Sequence, residues 1–150
     1  TSIGQGDTLV TPMEMALIAS AVANDGEMIK PRYVDNIVSA DGQAVKTFYK
    51  ESLGTVMSES EANTLTELMK GVVQNGTAVS LSDLPYNIAG KTGTAEHGSD
   101  GETPHSWSVG FSNADDPDIV IAVVAENGGY SSEVAVPIAR QVIEAYYAQQ

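Results

Sequence analysis

Residues 88–98 carry the sequence IAGKTGTAEHG, which places one lysine between glycines and beside two threonines. Between Gly71 and Arg140, Lys91 is the only Lys or Arg, whereas nine aspartates and glutamates share that span. Glycine weakens a strand and often marks close approach of a ligand or another backbone. Hydroxyls, a cation and bare backbone together suit a peptide-like anion laid along a strand edge. The stretch predicts a strand over about residues 86–96 that can hold such an anion.

Side chains alternate between the two faces of a strand, so the polar groups of this stretch are divided between those faces. Thr92 and Thr94 are two positions apart, so their hydroxyls face one side, and Lys91 faces the other unless the strand is twisted or bulged. The simpler alternative is an edge strand whose lysine discourages edge-to-edge pairing and whose glycines serve packing. A given Lys-Thr-Gly occurs by chance in roughly 3% of chains of this length. On the tripeptide alone, the simpler interpretation is favoured.

Two capping boxes predict helix starts. Thr11 is followed by Pro12 and Glu14, and Ser58 is followed three positions later by Glu61. The first helix continues as MALIASAVA, which is apolar on nearly every face and is therefore predicted to be buried. The second helix carries one apolar stripe, made of Ala62, Leu65, Met69, Val72 and Val73.

The remaining signals predict strands and a last helix. RYVDNIV and AVKTFYK flank an Asp-Gly turn and predict a hairpin over residues 32–50. Two strands are predicted at residues 106–113 and 119–126, and the continuous apolar run of the second favours cover on both faces. The last helix begins near residues 132–137, with one apolar row at Val134, Ile138, Val142 and Tyr146. This order predicts an α+β fold, an antiparallel sheet with packed helices.

The charge balance excludes several function classes. The chain of 150 residues has 20 Asp and Glu against 7 Lys and Arg, a formal net charge of −13. Nucleic-acid binding and docking on an anionic membrane both need clustered cations, so neither is expected. The absence of cysteine removes disulfides, a thiol nucleophile and thiolate metal sites. No cofactor is predicted.

A metal site is the alternative raised by the residues that follow the lysine. His97 and His105 lie near Glu96, Asp100 and Glu102, and these residue types suit zinc or a harder cation. Their spacing matches no motif of fixed ligands. The prediction is therefore a solvated loop between two strands and no metal.

The stretch GKTGTAE resembles the third motif of penicillin-binding proteins and serine β-lactamases. Further segments are similar to the same family in the right order: SIGQG at 2–6, TPMEMA at 11–16, GVVQNGTA at 71–78, HSWSVGF at 105–111, VAENGGY at 124–130 and AVPIARQVIEAYY at 135–147. The resemblance covers nearly the whole chain and fits class B, monofunctional transpeptidases. It implies the C-terminal portion of a penicillin-binding transpeptidase-like fold.

The resemblance also implies an activity and residue roles. A D,D-transpeptidase cross-links peptidoglycan stem peptides through an acyl-serine, and β-lactam antibiotics acylate the same serine. Lys91 would supply positive potential and hydrogen bonds to a serine of the second motif. Thr92, Gly93 and Thr94 would hold the terminal carboxylate of the substrate. The backbone N–H of Thr94 would be one of two oxyanion-hole donors.

Two motifs of the family are not present in the sequence. No serine is followed by lysine three positions later, and none by asparagine two positions later. Residues 1–150 are therefore expected to be a partial transpeptidase domain, inactive alone, that needs the missing N-terminal part of the same domain. The resemblance places the parent on the extracytoplasmic face of the cell membrane, anchored by a segment absent here. The alternative function is a β-lactam sensor or a non-catalytic penicillin-recognising module.

Overall fold

The computed structural model of the protein describes residues 8–98 and 101–150. Its helices are α1 (Pro12–Ala23), α2 (Glu59–Asn75) and α3 (Ala135–Tyr147), with a 3-10 turn at Val79–Leu81. Its strands are β1 (Glu27–Ile29), β2 (Asn36–Val38), β3 (Ala44–Thr47), β4 (Ser52–Thr55), β5 (Ala89–Ala95), β6 (His105–Phe111) and β7 (Val120–Ala125). The predicted α+β fold is confirmed. The SIGQG segment of the resemblance lies outside the described residues.

The main sheet is antiparallel, with the order β5-β6-β7. Lys91 pairs with Val109 and Thr94 with Ser106, which in turn pairs with Ala125. Strand β5, which carries the Lys-Thr-Gly sequence, therefore lies at one edge of this sheet. The three strands lie within the predicted ranges of residues 86–96, 106–113 and 119–126, apart from His105 at the start of β6.

Helices cover both faces of the main sheet. Val22 of α1 packs in one cluster with Phe111 and partly buried Val120. Val136 of α3 packs in another cluster, against which Ile121 lies. Because residues 120 and 121 point to opposite sides of a strand, α1 and α3 lie on opposite faces. Helix α2 packs along β5.

The small strands show one predicted and one unpredicted pairing. Strands β2 and β3 form the expected antiparallel hairpin. Strands β1 and β4, which precede and follow that hairpin in the sequence, pair with each other. The sequence did not predict these two strands. They have three and four residues, and β4 is exposed throughout. Strands this short and this exposed leave no alternating pattern to detect.

Two predictions about buried faces, those for α1 and α2, are corrected. Helix α1 buries Ala19, Ala21 and Val22 but leaves Met13 and Ile18 exposed, so an apolar sequence on all faces did not mean burial on all faces. In α2 Leu65 is exposed while Thr66 is buried. Strand β7 is covered on both faces, by α1 and by α3, as its apolar run predicted, although each of its residues is only half-buried.

Helix α3 contacts the core with a different row from the predicted one. It buries Ala135, Val136, Ala139 and Ile143, whereas Ile138 and Val142 of the predicted row are exposed. The buried row combines two alanines with Val136 and Ile143, and a prediction based on one i,i+4 row of bulky residues overlooks it. No helix within the described ranges is both long and apolar enough to cross a membrane.

Candidate active site

The predicted anion-binding residues lie together on the edge strand β5. Lys91 is exposed, Thr92 is 8% exposed, and Gly93 and Thr94 are half-buried. The pleat places Thr92 on the same side as Ile88, which packs in the cluster with α3, and places Lys91 on the α1 side. The alternation expected for the two threonines and the lysine is therefore present.

Lys91 is a cation without a carboxylate partner among the residues that the structure describes. Its Nζ donates a hydrogen bond to the backbone oxygen of Thr92 at 2.6 Å. Among the residues that the structure describes, no carboxylate oxygen lies within the 4.0 Å of an ion pair with it. By contrast, Lys70 pairs with Glu67, chiefly through a hydrogen bond that raises the lysine pKa. The charge of Lys91 thus remains available to an anion.

The hydroxyl of Thr92 contacts a residue that sequence reasoning did not single out. Thr77 Oγ1 and Thr92 Oγ1 form a hydrogen bond in which either atom can donate. Thr77 follows Gly76, the residue that ends α2. The resemblance included this residue within GVVQNGTA but assigned it no role. Only the packing of α2 on β5 brings the two positions together, so the sequence carried no local signal of the contact.

The glycines of the site have different steric requirements. A Cβ built on Gly93 would lie 3.3 Å from Trp107 Cβ, a tight contact across the sheet. A Cβ on Gly90 would meet Val109 O only at 3.5 Å, which is ordinary contact. The strictest position is Gly110 on β6, where a Cβ would lie 2.4 Å from Ala89 O. At Gly110 the backbone that approaches closely is therefore that of the neighbouring strand β5.

The two histidines at the end of the β5–β6 hairpin stack on each other. Their ring centroids are 3.8 Å apart. His97 Nδ1 lies 3.3 Å from Glu102 Oε2, and the N–H of Asn127 donates to His105 Nδ1 at 3.0 Å. Within residues 8–98 and 101–150, no group of three or more potential ligands is placed to hold a metal ion. Asp100, a member of the metal hypothesis, lies outside the described residues, and Glu96 is exposed.

The start of α3 is attached to the strand beside the threonines. The N–H of Ala135, the first residue of α3, donates to the buried Ser106 Oγ at 3.1 Å. Ser106 pairs with Thr94 across the β5–β6 register. The N–H of Gly129 donates to Pro104 O at 2.9 Å. These contacts hold the segment before α3 against the end of the sheet at which Thr94 lies.

The stretch that resembles the third motif of penicillin-binding proteins thus forms an edge strand, with Thr92 and Thr94 on one face and a lysine that has no ion pair with a described carboxylate. The chain matches the family model described as penicillin binding protein transpeptidase domain over residues 1–144. The chain therefore belongs to the penicillin-binding protein transpeptidase family, as the resemblance of its motifs indicated.

Individual relatives agree with this assignment. The chain is 37% identical over 155 residues to the peptidoglycan D,D-transpeptidase PbpA of Mycolicibacterium smegmatis, covering 97% of this chain and 31% of that protein. It is similar to penicillin-binding protein A of M. tuberculosis in its imipenem acyl-enzyme complex, with a TM-score of 0.87 and 38% identity over 99% of this chain and 33% of that one. The chain thus spans about a third of the length of these relatives.

Proposed function

We propose that the chain is the C-terminal part of a peptidoglycan D,D-transpeptidase and that β5 binds the terminal carboxylate of stem peptides and of β-lactams. The observation that carries this proposal is the edge strand itself, where Lys91 has no ion pair with a described carboxylate and Thr92 and Thr94 face one side. A carboxylate accepts hydrogen bonds only, and threonine hydroxyls can donate them. The acyl-enzyme complex of the solved relative with imipenem supports this ligand class.

The proposed reaction assigns a distinct role to each group on β5. A serine outside this chain attacks the carbonyl of the penultimate D-Ala, the terminal D-Ala leaves, and an amine of a neighbouring stem peptide accepts the acyl group. The N–H of Thr94 would donate to the oxyanion of the tetrahedral intermediate, a contribution of about 2.7–4 kcal/mol for one such donor. Lys91 would add positive potential next to the serine that relays the proton. Thr92, Gly93 and Thr94 would hold the carboxylate.

The nucleophile is proposed to lie in a preceding part of the same domain. No serine of this chain has the required lysine or asparagine spacing, and activation of a serine needs an adjacent base. Leu9 is 93% exposed, and Met13 and Ile18 of α1 are 43% and 46% exposed. Exposed apolar side chains that occur together in this way indicate a surface that another part of the protein covers. We infer that the preceding part packs here, and that a membrane anchor upstream places the protein outside the cytoplasmic membrane.

Intact-protein mass spectrometry with benzylpenicillin tests the proposal. The chain alone is expected to gain no adduct because it lacks an activated serine, whereas the full-length protein gains one adduct on a serine outside this chain. An adduct on a serine of residues 1–150 would contradict the proposed division of the site. Release of D-Ala from a D-Ala-D-Ala peptide in the presence of an acceptor amine then distinguishes a transpeptidase from a β-lactam sensor.

A matched pair of lysine variants in the full-length protein tests the role of β5. Lys91→Ala is expected to slow acylation about 100-fold, the scale of losing one preorganised electrostatic contact. Lys46→Ala removes an exposed lysine from β3 and is expected to leave the rate unchanged. Equal rates for both variants would argue against an anion site at Lys91.

A further inference from the structure

The hydroxyl of Thr92 is engaged by the protein before any ligand arrives. Thr92 is 8% exposed, whereas Thr77, its hydrogen-bond partner, is exposed. A threonine hydroxyl has one proton to donate and two lone pairs to accept with. The direction of the Thr77–Thr92 hydrogen bond therefore decides whether the single proton of Thr92 remains available to a ligand.

A bound carboxylate would set that direction. Because a carboxylate is acceptor-only, Thr92 must use its proton to bind one, and it can then only accept from Thr77. We propose that Thr77 is a positioning residue that donates to Thr92 Oγ1 and orients the Thr92 proton towards the carboxylate of the substrate or β-lactam. This inference rests on the proposed function, which places the carboxylate at Thr92.

The end of helix α2 holds Thr77 in position for this role. Gly76 ends the helix, and its N–H donates to Val72 O at 3.0 Å. The N–H of Ala78 donates to the same oxygen at 3.3 Å, so the residues on both sides of Thr77 are tied to one carbonyl. Val73, one turn earlier, is buried, and its Cγ2 lies 3.6 Å from where a Cβ on Gly90 of β5 would be. The hydrogen bond to Thr92 directs the Thr77 hydroxyl at β5, and the branched Cβ of threonine limits the rotamers that its side chain can adopt.

A structural role alone would not require this arrangement. Thr77 is exposed, so water can replace Thr92 as its partner, and such a bond contributes little to folding. The contact matters most when a negative ligand fixes the proton direction, because hydrogen bonds to charged groups are the stronger ones. The effect of Thr77 should therefore be specific to ligands that carry the carboxylate.

The test measures acylation of the full-length protein by benzylpenicillin and by its neutral methyl ester. In Thr77→Val, the ratio of the acid rate to the ester rate is expected to fall about tenfold, because Thr92 loses the donor that orients it. Thr77→Ser keeps a hydroxyl and is expected to restore the ratio to within about twofold of the original. Thr64→Val, an exposed threonine on α2, is the matched control and should leave both rates unchanged.

Two results would overturn the role of Thr77: an unchanged ratio in Thr77→Val, or an equal fall of both rates, which indicates a structural effect. If the valine variant does not fold, Thr77→Ala removes the hydroxyl without added bulk and is judged by the same ratio. Failure of the proposed function is distinguishable, since the unmodified protein would then show no acylation or no preference for the acid over the ester. A preference that persists in both Thr77 variants refutes the positioning role alone.

Discussion

Gly110 on β6 is the residue at which the main sheet leaves no space for a side chain. A Cβ at this position would lie 2.4 Å from Ala89 O and 3.0 Å from Gly90 Cα. Both contacts are with backbone, so β5 and β6 would have to move apart. We expect Gly110→Ala to lower the free energy of unfolding by about 2 kcal/mol, the usual cost of overpacking. Urea unfolding of the full-length protein, followed at the transition of the transpeptidase domain, measures this change.

Gly71→Ala provides the matched control at the residue scale. Gly71 lies inside α2, and a Cβ there would meet no heavy atom within 4 Å. Alanine is the better helix former, so the substitution is expected to raise the free energy of unfolding by about 0.5–1 kcal/mol. A Gly110→Ala protein as stable as the original would show that β5 and β6 tolerate a wider separation.

The sequence predicted the residues of β5 but not their partners on other elements. Lys91, Thr92 and Thr94 stand in one local pattern, which indicates chemistry by itself. Gly110 and Thr77 became significant only through the register of β6 and the packing of α2. Contacts between residues 15 or more positions apart depend on the tertiary fold, which a local pattern does not encode.

Helix α2 begins at a capping box that the sequence predicted correctly. Ser58 Oγ accepts from the N–H of Glu61 at 3.3 Å, and Glu61 Oε2 accepts from the N–H of Ser58 at 2.8 Å. Ser58→Ala removes the hydroxyl that satisfies one of the first helical amides. We expect the free energy of unfolding to fall by about 1 kcal/mol, the usual effect of losing such a cap. Thermal unfolding of the full-length protein measures the loss.

Ser60→Ala tests whether the effect of Ser58 comes from capping. Ser60 is exposed within the first turn of α2, and the cap does not use its side chain. Alanine has the higher helix propensity, so this variant should be as stable as the original or slightly more stable. An equal loss of stability in both variants would attribute the effect to the loss of a serine hydroxyl in general.

Helix boundaries were more predictable than helix faces. Thr11 and Ser58 gave both predicted starts correctly because capping is a local interaction. The predicted buried face of α3 was wrong because the face that is buried depends on tertiary packing, which is not a local interaction. Ala139 is buried together with Val136 and Ile143, whereas Ile138 and Val142 are exposed.

At the scale of the whole molecule, a charge cluster connects α3 to the 3-10 turn. Arg140 Nη1 and Nη2 lie 2.5 and 3.1 Å from the two carboxylate oxygens of Asp83. Arg140 Nε also donates to Glu144 at 3.0 Å. The hydrogen bond from Arg140 is the main cause that holds the pKa of Asp83 below its ordinary value. In a chain with a formal net charge of −13, this pair joins two elements that are far apart in sequence.

The lowered pKa of Asp83 predicts how stability depends on pH. A carboxylate with a folded-state pKa below its unfolded value of 3.8 stabilises the folded protein fully above that value. The contribution is lost as the pH falls through the lower folded-state pKa. The Glu14 and Glu61 carboxylates, whose pKa values are lowered by hydrogen bonds to Thr11 and Ser58, act in the same direction. We expect the urea midpoint to change little above about pH 5 and to decrease below about pH 4.

Asp83→Asn separates the contribution of the Arg140 pair from that of the other carboxylates. The amide cannot take up a proton in this range, so the decrease of the urea midpoint below about pH 4 should be smaller than in the original protein. Asp116→Asn changes an exposed aspartate in the turn between β6 and β7 and is expected to keep the full decrease. The measurement is urea unfolding of the full-length protein at several pH values between 3 and 7, with salt held constant because exposed pairs are screened. If the two variants show the same pH dependence, protonation of Asp83 does not contribute to acid unfolding, and the connection between α3 and the 3-10 turn rests on the hydrogen bond from Arg140 to Ser80 O and on apolar packing.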